Sequence, residues 1–475
     1  MRTDVRVPSL PMPLLAAFML GVVLSAAGMP PAAAQGGGAD HIPAELLPKL
    51  SELSREQLEF FKGPDPMRVM GSRAQLVRIL EQRSPEQIEA FVADMMRVVE
   101  AFKYEEGVDM GEIPLNPEAT AFNGHTVVMP EVLKERWREP GPFSLNRYID
   151  EWGGIPTFAG APVAITPEDL RVGRVDIAIA GIPVNFSSGR RDAQNGPGAL
   201  RLMHGMADRD VYSMVDPASV LSIVDYGDFS VDPLSVERSI DHVHDMVYEV
   251  IGTGAVPFLV GGDHSVMYPT VRAVRAAHPG EGLKVVHFGA HYNAERTRAH
   301  SLTDRDAIYR LLVEEVVDGS NLIQVGLRGP RLTPEALVWL REQGVRYHTM
   351  AEVERRGWPA VMERVIDEAK SGGERVYISF DVSVLDPTQL AAAGRAAPGG
   401  LTVRELTPLL RRLCAETEIA GFELMDLAPM LDLSYVSTMN ANHMLNACLA
   451  GVAMRRSGLV TDHYLDAMSV DHGQP

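Results

Sequence analysis

Four short segments concentrate the side chains that could do chemistry: Gly261-Gly-Asp-His-Ser265, Gly289-Ala-His-Tyr-Asn293, Asp381-Val-Ser-Val-Leu-Asp-Pro387 and Met425-Asp-Leu-Ala-Pro429. Each follows directly on an apolar run, at 256–260, 283–288, 376–380 and 419–424. A single histidine is most often a hydrogen-bonded core residue, but His264, His291, Asp381 and Asp426 recur at equivalent strand ends. In sheets built of such strands the carboxyl ends meet at one crevice. Together these residues mark a present or ancestral active site.

The elements that must position these residues alternate. Apolar, β-branched runs occur at 175–182, 220–224, 256–260, 283–288, 322–325, 345–348, 376–380 and 419–424, with amphipathic stretches between them such as 235–251, 334–342 and 403–414. Eight continuous apolar runs with helical crossovers predict an α/β domain: a largely parallel sheet with helices on both faces. Upstream, Ser54-Arg-Glu-Gln57 and Ser84-Pro-Glu-Gln87 each place a serine three residues before a glutamine, which predicts two capped helix starts. Ile88, Phe91, Val92, Met95, Val99 and Phe102 then line one helical face that must pack on something. Pro114, Pro117, Pro130, Pro140 and Pro142 mark a linker. The expected organisation is a signal peptide at 1–34, a helical extension with linker at 35–145 and the α/β domain at 146–475.

Arg2 and Arg6 before an apolar run from Leu14 to Met29, then Ala32, Ala33 and Ala34, read as a Sec-type signal peptide cleaved after Ala34. The expectation is a periplasmic or secreted protein with no membrane association after cleavage. Lysine plus arginine total 44 against 63 aspartate plus glutamate, a net charge of −19 that makes nucleic acid an unsuitable partner. Cys414 and Cys448 are too few for a disulfide scaffold. Whether they are bridged or stay buried thiols is left open by the sequence.

The three segments around His264, around His287-Phe-Gly-Ala-His-Tyr-Asn293 and around Ser379-Phe-Asp-Val-Ser-Val-Leu-Asp-Pro387 resemble, in order, the signature motifs of the ureohydrolase (arginase/agmatinase) superfamily. Trp152-Gly-Gly-Ile-Pro156, Gly181-Ile-Pro183, Gly196-Pro197 with Arg201, Asp225-Tyr-Gly-Asp228 and Pro398-Gly-Gly-Leu-Thr402 extend the likeness over about 146–456. The resemblance implies an eight-stranded arginase/deacetylase-like three-layer α/β/α fold. It also implies urea-forming hydrolysis of a guanidino compound by two manganese ions, or nickel in some members, bridged by hydroxide. The family's six ligands map onto His264, Gly289, His291, Asn293, Asp381 and Ser383, so three carboxylate positions hold uncharged residues. Two adjacent dications need bridging anions, and this set supplies one. His300 stands near the family's proton-shuttling histidine, and Asp426 replaces the glutamate that pairs with the guanidinium. Arg395, in Ala391-Ala-Ala-Gly-Arg-Ala-Ala397, would put a cation near the pocket. The leading expectation is therefore a non-catalytic member binding no metal or a single divalent ion. It would assemble as a homo- or hetero-oligomer (trimer or hexamer), with an active paralogue as one candidate partner and a small guanidino-type ligand as another. The alternative is a carbon–nitrogen hydrolase in which His264, His291 and Asp381, helped by Asn293, hold a single zinc or iron ion that activates one water for hydrolysis of an amidine or amide. A third reading makes the helical extension the working part and the α/β domain its scaffold.

Overall fold

In the computed structural model the described residues are 42, 46–70, 73–100, 103, 140–145, 155–187, 192–203, 209–232, 235–296, 302–372 and 375–471. The signal segment, His300, Phe102, Trp152, Pro114, Pro117 and Pro130 lie outside them. All eight expected strands form: β1 Ile177–Ile182, β2 Ile223–Asp228, β3 Val256–Gly261, β4 Leu283–Phe288, β5 Leu322–Leu327, β6 Arg346–Thr349, β7 Arg375–Asp381 and β8 Ile419–Met425. They make one sheet in the order β2-β1-β3-β8-β7-β4-β5-β6, and every pair is parallel.

Alternate side chains on each strand enter two separate cores, as a pleated sheet covered on both faces requires. Ile177 and Ile179 join one core with Val361, Leu409 and Met444, from helices Trp358–Lys370, Val403–Glu416 and Val436–Ser457. Ala178 and Ala180 join the other with Val243, Val271 and Leu311, from helices Val236–Ile251, Met267–Ala277 and Ala307–Val313. A row of rings crosses the four central strands: Phe258 to Phe422 at 5.2 Å, Phe422 to Phe380 at 6.5 Å and Phe380 to Phe288 at 5.7 Å. Each aromatic pair adds about 0.5–1.5 kcal/mol beyond its burial. These are the strands that carry the candidate residues, so the row ties them to one another.

Strand β2 begins three residues later than its apolar run suggests. Asp216 caps a short helix, Pro217–Val220, that takes up the first part of the run. The strand then continues through Asp225 to Asp228, whose carboxylates are answered by Arg201 at 2.7 and 2.8 Å.

In the helical extension both serine–glutamine starts are helix N-termini, with the serine oxygen accepting from the glutamine amide and the glutamine oxygen from the serine amide. The predicted apolar face packs within the extension: Ile88, Phe91, Val92 and Met95 share a core with Leu46, Phe61, Leu76 and Leu80. Polar contacts join this module to the entry of β1, through Arg78 to Asp176 at 2.5 Å and Arg174 to Glu81 at 2.6 Å. Cys414 and Cys448 form a disulfide between helices Val403–Glu416 and Val436–Ser457. Gly451 lets these helices approach: a Cβ there would lie 2.3 Å from the Arg411 carbonyl oxygen. Among the described residues no helix is long and apolar enough to cross a membrane.

Candidate functional site

The carboxyl ends of β3, β8, β7 and β4, neighbours in the sheet, deliver His264, Asp426, Asp381 and the segment 289–293 to one rim. His264 lies in the turn after β3, where Asp263 caps a short 3-10 helix. Its ring is fully buried between two carboxylates, with Nδ1 3.4 Å from Asp381 Oδ2 and Nε2 3.5 Å from Glu423 Oε1. Ser379 Oγ sits 2.7 Å from the same Nε2 and donates to Glu423 Oε1 at 2.6 Å. Tyr377 and Thr270 hydroxyls donate to the other Glu423 oxygen at 2.6 and 2.7 Å. Burial disfavours a charged ring, but hydrogen bonds and charge from Asp381 and Glu423 outweigh it and push His264 up to about 10. For Asp381 burial raises the pKa, while the His264 hydrogen bond and charge, then Arg395, hold it below the usual carboxylate range. The pair is an imidazolium beside a carboxylate.

His287, at the end of β4, stacks on His264 with ring centroids 5.1 Å apart. Burial and then the charge on His264 push it down to about 3, so it is neutral. Gly289 makes room for this ring: a Cβ at 289 would lie 2.8 Å from His287 Cε1. Asn293, buried and in the left-handed region at φ 45°, places Nδ2 3.5 Å from His287 Nε2 and 3.3 Å from His264 Nδ1. With His264 protonated toward Asp381 the second approach is only a contact, and the amide hydrogen goes to neutral His287.

Arg395 closes the arrangement from the loop after β7. Its guanidinium donates to Asn293 Oδ1 at 2.9 Å and pairs with the buried carboxylate of Asp304. Burial raises the pKa of Asp304, and the charge of Arg395 opposes this. The Arg395 amide donates to Asp426 Oδ2 at 3.3 Å, and a Cβ on Gly394 would meet Asp426 Oδ1 at 2.7 Å. Asp426 itself holds φ 72°, a conformation that aspartate tolerates better than most residues. His291 points its Nε2 at the Arg395 carbonyl oxygen, 2.9 Å away, and burial together with Arg395 pushes its pKa down. Asp381 caps the turn after β7, its Oδ1 accepting from the Ser383 amide at 2.7 Å, and the Ser383 hydroxyl accepts from the Ala290 amide at 3.2 Å.

The structure thus gathers His264, Asp381 and Asn293, sets Asp426 against the Arg395 loop, and engages His291 with that loop's backbone. Among the described residues no group of three or more histidine, cysteine, aspartate or glutamate side chains is placed to hold one metal ion. Sequence reasoning missed His287, Ser379, Glu423 and Asp304. Glu423 did leave a signal: it is an ionisable residue inside an apolar strand, opposite Ser379 in register.

A family model described as the arginase family matches residues 175–451, more than half of the chain. The chain belongs to the arginase family. The relatives of this arginase-family chain include a guanidinobutyrase of Pseudomonas aeruginosa, 28% identical over 65% of this chain and 96% of its own length. A guanidinopropionase of the same organism is 30% identical over 60% of this chain and 87% of its own. Among solved structures, proclavaminate amidino hydrolase from Streptomyces clavuligerus superposes with a TM-score of 0.58 at 26% identity, covering 64% of this chain and 99% of that one.

Proposed function

We propose that this chain is an exported arginase-family protein that does not assemble a dinuclear metal centre and works as a non-catalytic subunit, in a homo-oligomer or beside an active paralogue. The observation that carries the reading is Arg395: its guanidinium is bonded to Asn293, at one of the family's ligand positions, and to Asp304. With His264 it supplies positive charge from within the chain, facing the carboxylates Asp304 and Asp381. The available donors do not fit a metal pair. Gly289 offers no ligand and Ser383 is engaged with Ala290. Asn293 Oδ1 accepts from Arg395. Asp381, the one carboxylate at a family ligand position, is held by His264 and the Ser383 amide. Charged groups of both signs are already balanced there, and neutral oxygens cannot compensate two dications.

A single-ion hydrolase would need His264, His291 and Asp381 on one ion, whereas His291 Nε2 faces the Arg395 carbonyl. The Cys414–Cys448 disulfide supports export, since such bonds persist in oxidising compartments.

Metal analysis of the purified mature chain, with urea release measured on arginine, agmatine and a guanidino acid, tests the reading. The expected result is no stoichiometric metal and no urea. Near two manganese or nickel ions per chain together with urea release would overturn it. N-terminal sequencing of the exported protein should begin at Gln35.

A further inference from the structure

We propose that the loop after β8 and the first turn of helix Val436–Ser457 form a self-association surface, on which a second copy of this chain docks its own matching patch across a two-fold axis. The inference takes up the homo-oligomer branch of the reading above and names the surface that carries it. Seven residues of 427–440 are exposed; six are large and apolar, Met430, Leu431, Leu433, Tyr435, Val436 and Met439, and the seventh is Ser434. Their exposure runs from 37% at Met439 to 76% at Leu433 among the apolar six. Apolar side chains scattered singly over a surface are ordinary, whereas six within ten residues make one patch. Together they present roughly 500 Å², toward the upper end of what monomeric proteins leave open. The first turn of the helix is apolar outward, at Val436 and Met439, as well as inward, toward buried Ala441 and Met444. A helix that met only water there would carry polar or charged residues on the outer side.

The patch is rigidly built. Asp432 Oδ1 accepts from the amide and hydroxyl of Ser434 at 3.0 and 2.5 Å, and Oδ2 from the amide and hydroxyl of Ser437 at 2.9 and 2.6 Å. The one charged side chain of the segment is therefore engaged within its own loop. The Met430 amide donates to buried Asp192 at 2.6 Å, which fastens the loop to the body of the domain. A surface already ordered in this way loses little conformational freedom when it is covered.

Charge and area select a second copy as the occupant. The chain carries −19, so two copies repel each other over much of their surface. At a segment whose exposed residues carry no charge they can meet without opposing like charges, and such a patch is its own complement. Two patches face to face remove roughly 1,000 Å² from water, the size at which a specific interface begins. Their composition, with methionine and tyrosine and no lysine or glutamate, is that of an interface core. The same patch on both partners gives an isologous contact, the commonest way in which a pair of chains closes.

The test is light scattering after size exclusion on the mature, disulfide-intact chain over a range of concentrations. The mass should be an even multiple of one chain. Leu433→Glu should halve it and raise the dissociation constant of this contact at least about a hundredfold, because each contact then buries two new charges. Val338→Glu, an equally conspicuous change at an exposed valine on helix Pro334–Glu342, should leave the mass as it is. Met439→Lys serves as the second variant if circular dichroism shows that the first does not fold. A monomeric parent, an odd number of chains, or a folded Leu433→Glu or Met439→Lys protein with the parent's mass would each overturn the proposal. Metal content and urea release on the same sample report on the non-catalytic reading: an active even-numbered oligomer sinks only that reading, and an inactive monomer only this one.

Discussion

Replacing Arg395 by methionine tests whether this side chain is a structural cation. The Arg395 side chain is 16% exposed and its partner Asp304 is 1% exposed, so the ion pair is nearly dry. Removing one member of a buried pair strands the other and costs about 3–5 kcal/mol. The slight exposure of Arg395 favours the lower end, about 3 kcal/mol. With an unfolding entropy of about 2.1 cal/mol/K per residue, a domain spanning the family-matched residues 175–451 should lose roughly 5 °C in melting temperature. Calorimetry at fixed scan rate on R395M, D304N and the double variant reads this directly. Each single change should lower the melting temperature by about that amount, and the double should fall close to either single, because the second removal relieves the stranded group. The pH dependence has a definite sign. Burial raises the folded pKa of Asp304, and without Arg395 the largest opposing influence is gone, leaving the Ser187 hydrogen bond and the charge on His264. An acid with a raised folded pKa penalises the fold as pH climbs above its unfolded value, so the R395M deficit should grow from about pH 4 toward neutrality and shrink on acidification. A melting temperature equal to the parent's, or strictly additive losses in the double variant, would refute the reasoning.

The disulfide closes a chain segment of 34 residues, for which the loop-entropy relation gives about 4 kcal/mol; a C414A/C448A variant should melt roughly 7 °C lower, and thiol titration of the native protein should find no free cysteine. Gly289→Asp should lose about 1–3 kcal/mol through overpacking, because a Cβ there starts 2.8 Å from His287. Adding His287→Ala should recover part of that loss in a urea titration, and a stable G289D protein would contradict the crowding argument. Asp386 accepts from Thr388, Gly399 and Gly400 and is held down at about 2 by the Thr388 hydroxyl and amide, then the glycine amides. Its contribution should be fully present above about pH 4 and fade as pH falls toward 2. The stability gap between parent and D386N, followed by circular dichroism, should close over that window; a pH-independent gap would show that the charge is not what matters.

The sheet was legible because strands buried on both faces read as unbroken apolar runs, and all eight appear where such runs occur. Strand β2 was displaced because Asp225 and Asp228 look like loop residues until Arg201 is seen beside them. The rim was legible for a related reason: His264, Asp381 and Asp426 follow strand ends. What the sequence could not disclose is which side chains meet across the rim. Arg395 was recognisable as a cation near the pocket, but its bond to Asn293 spans 102 residues. Asp304 carries no mark of its role apart from the fold.

On the proposed non-catalytic reading, that long-range pairing also ties together the positions at which the family resemblance expects carboxylates. Where the family pattern would set Asp at 293, this chain has an amide whose oxygen accepts from a guanidinium. Where it would set Asp at 289, glycine admits a neutral imidazole stacked on a charged one. A metal ion can polarise water and lower its pKa; a guanidinium tethered to its own chain supplies charge but no open coordination position. Arg395 joins the segment after β7 to the segment after β4. Its removal should therefore be read in stability before it is read in turnover.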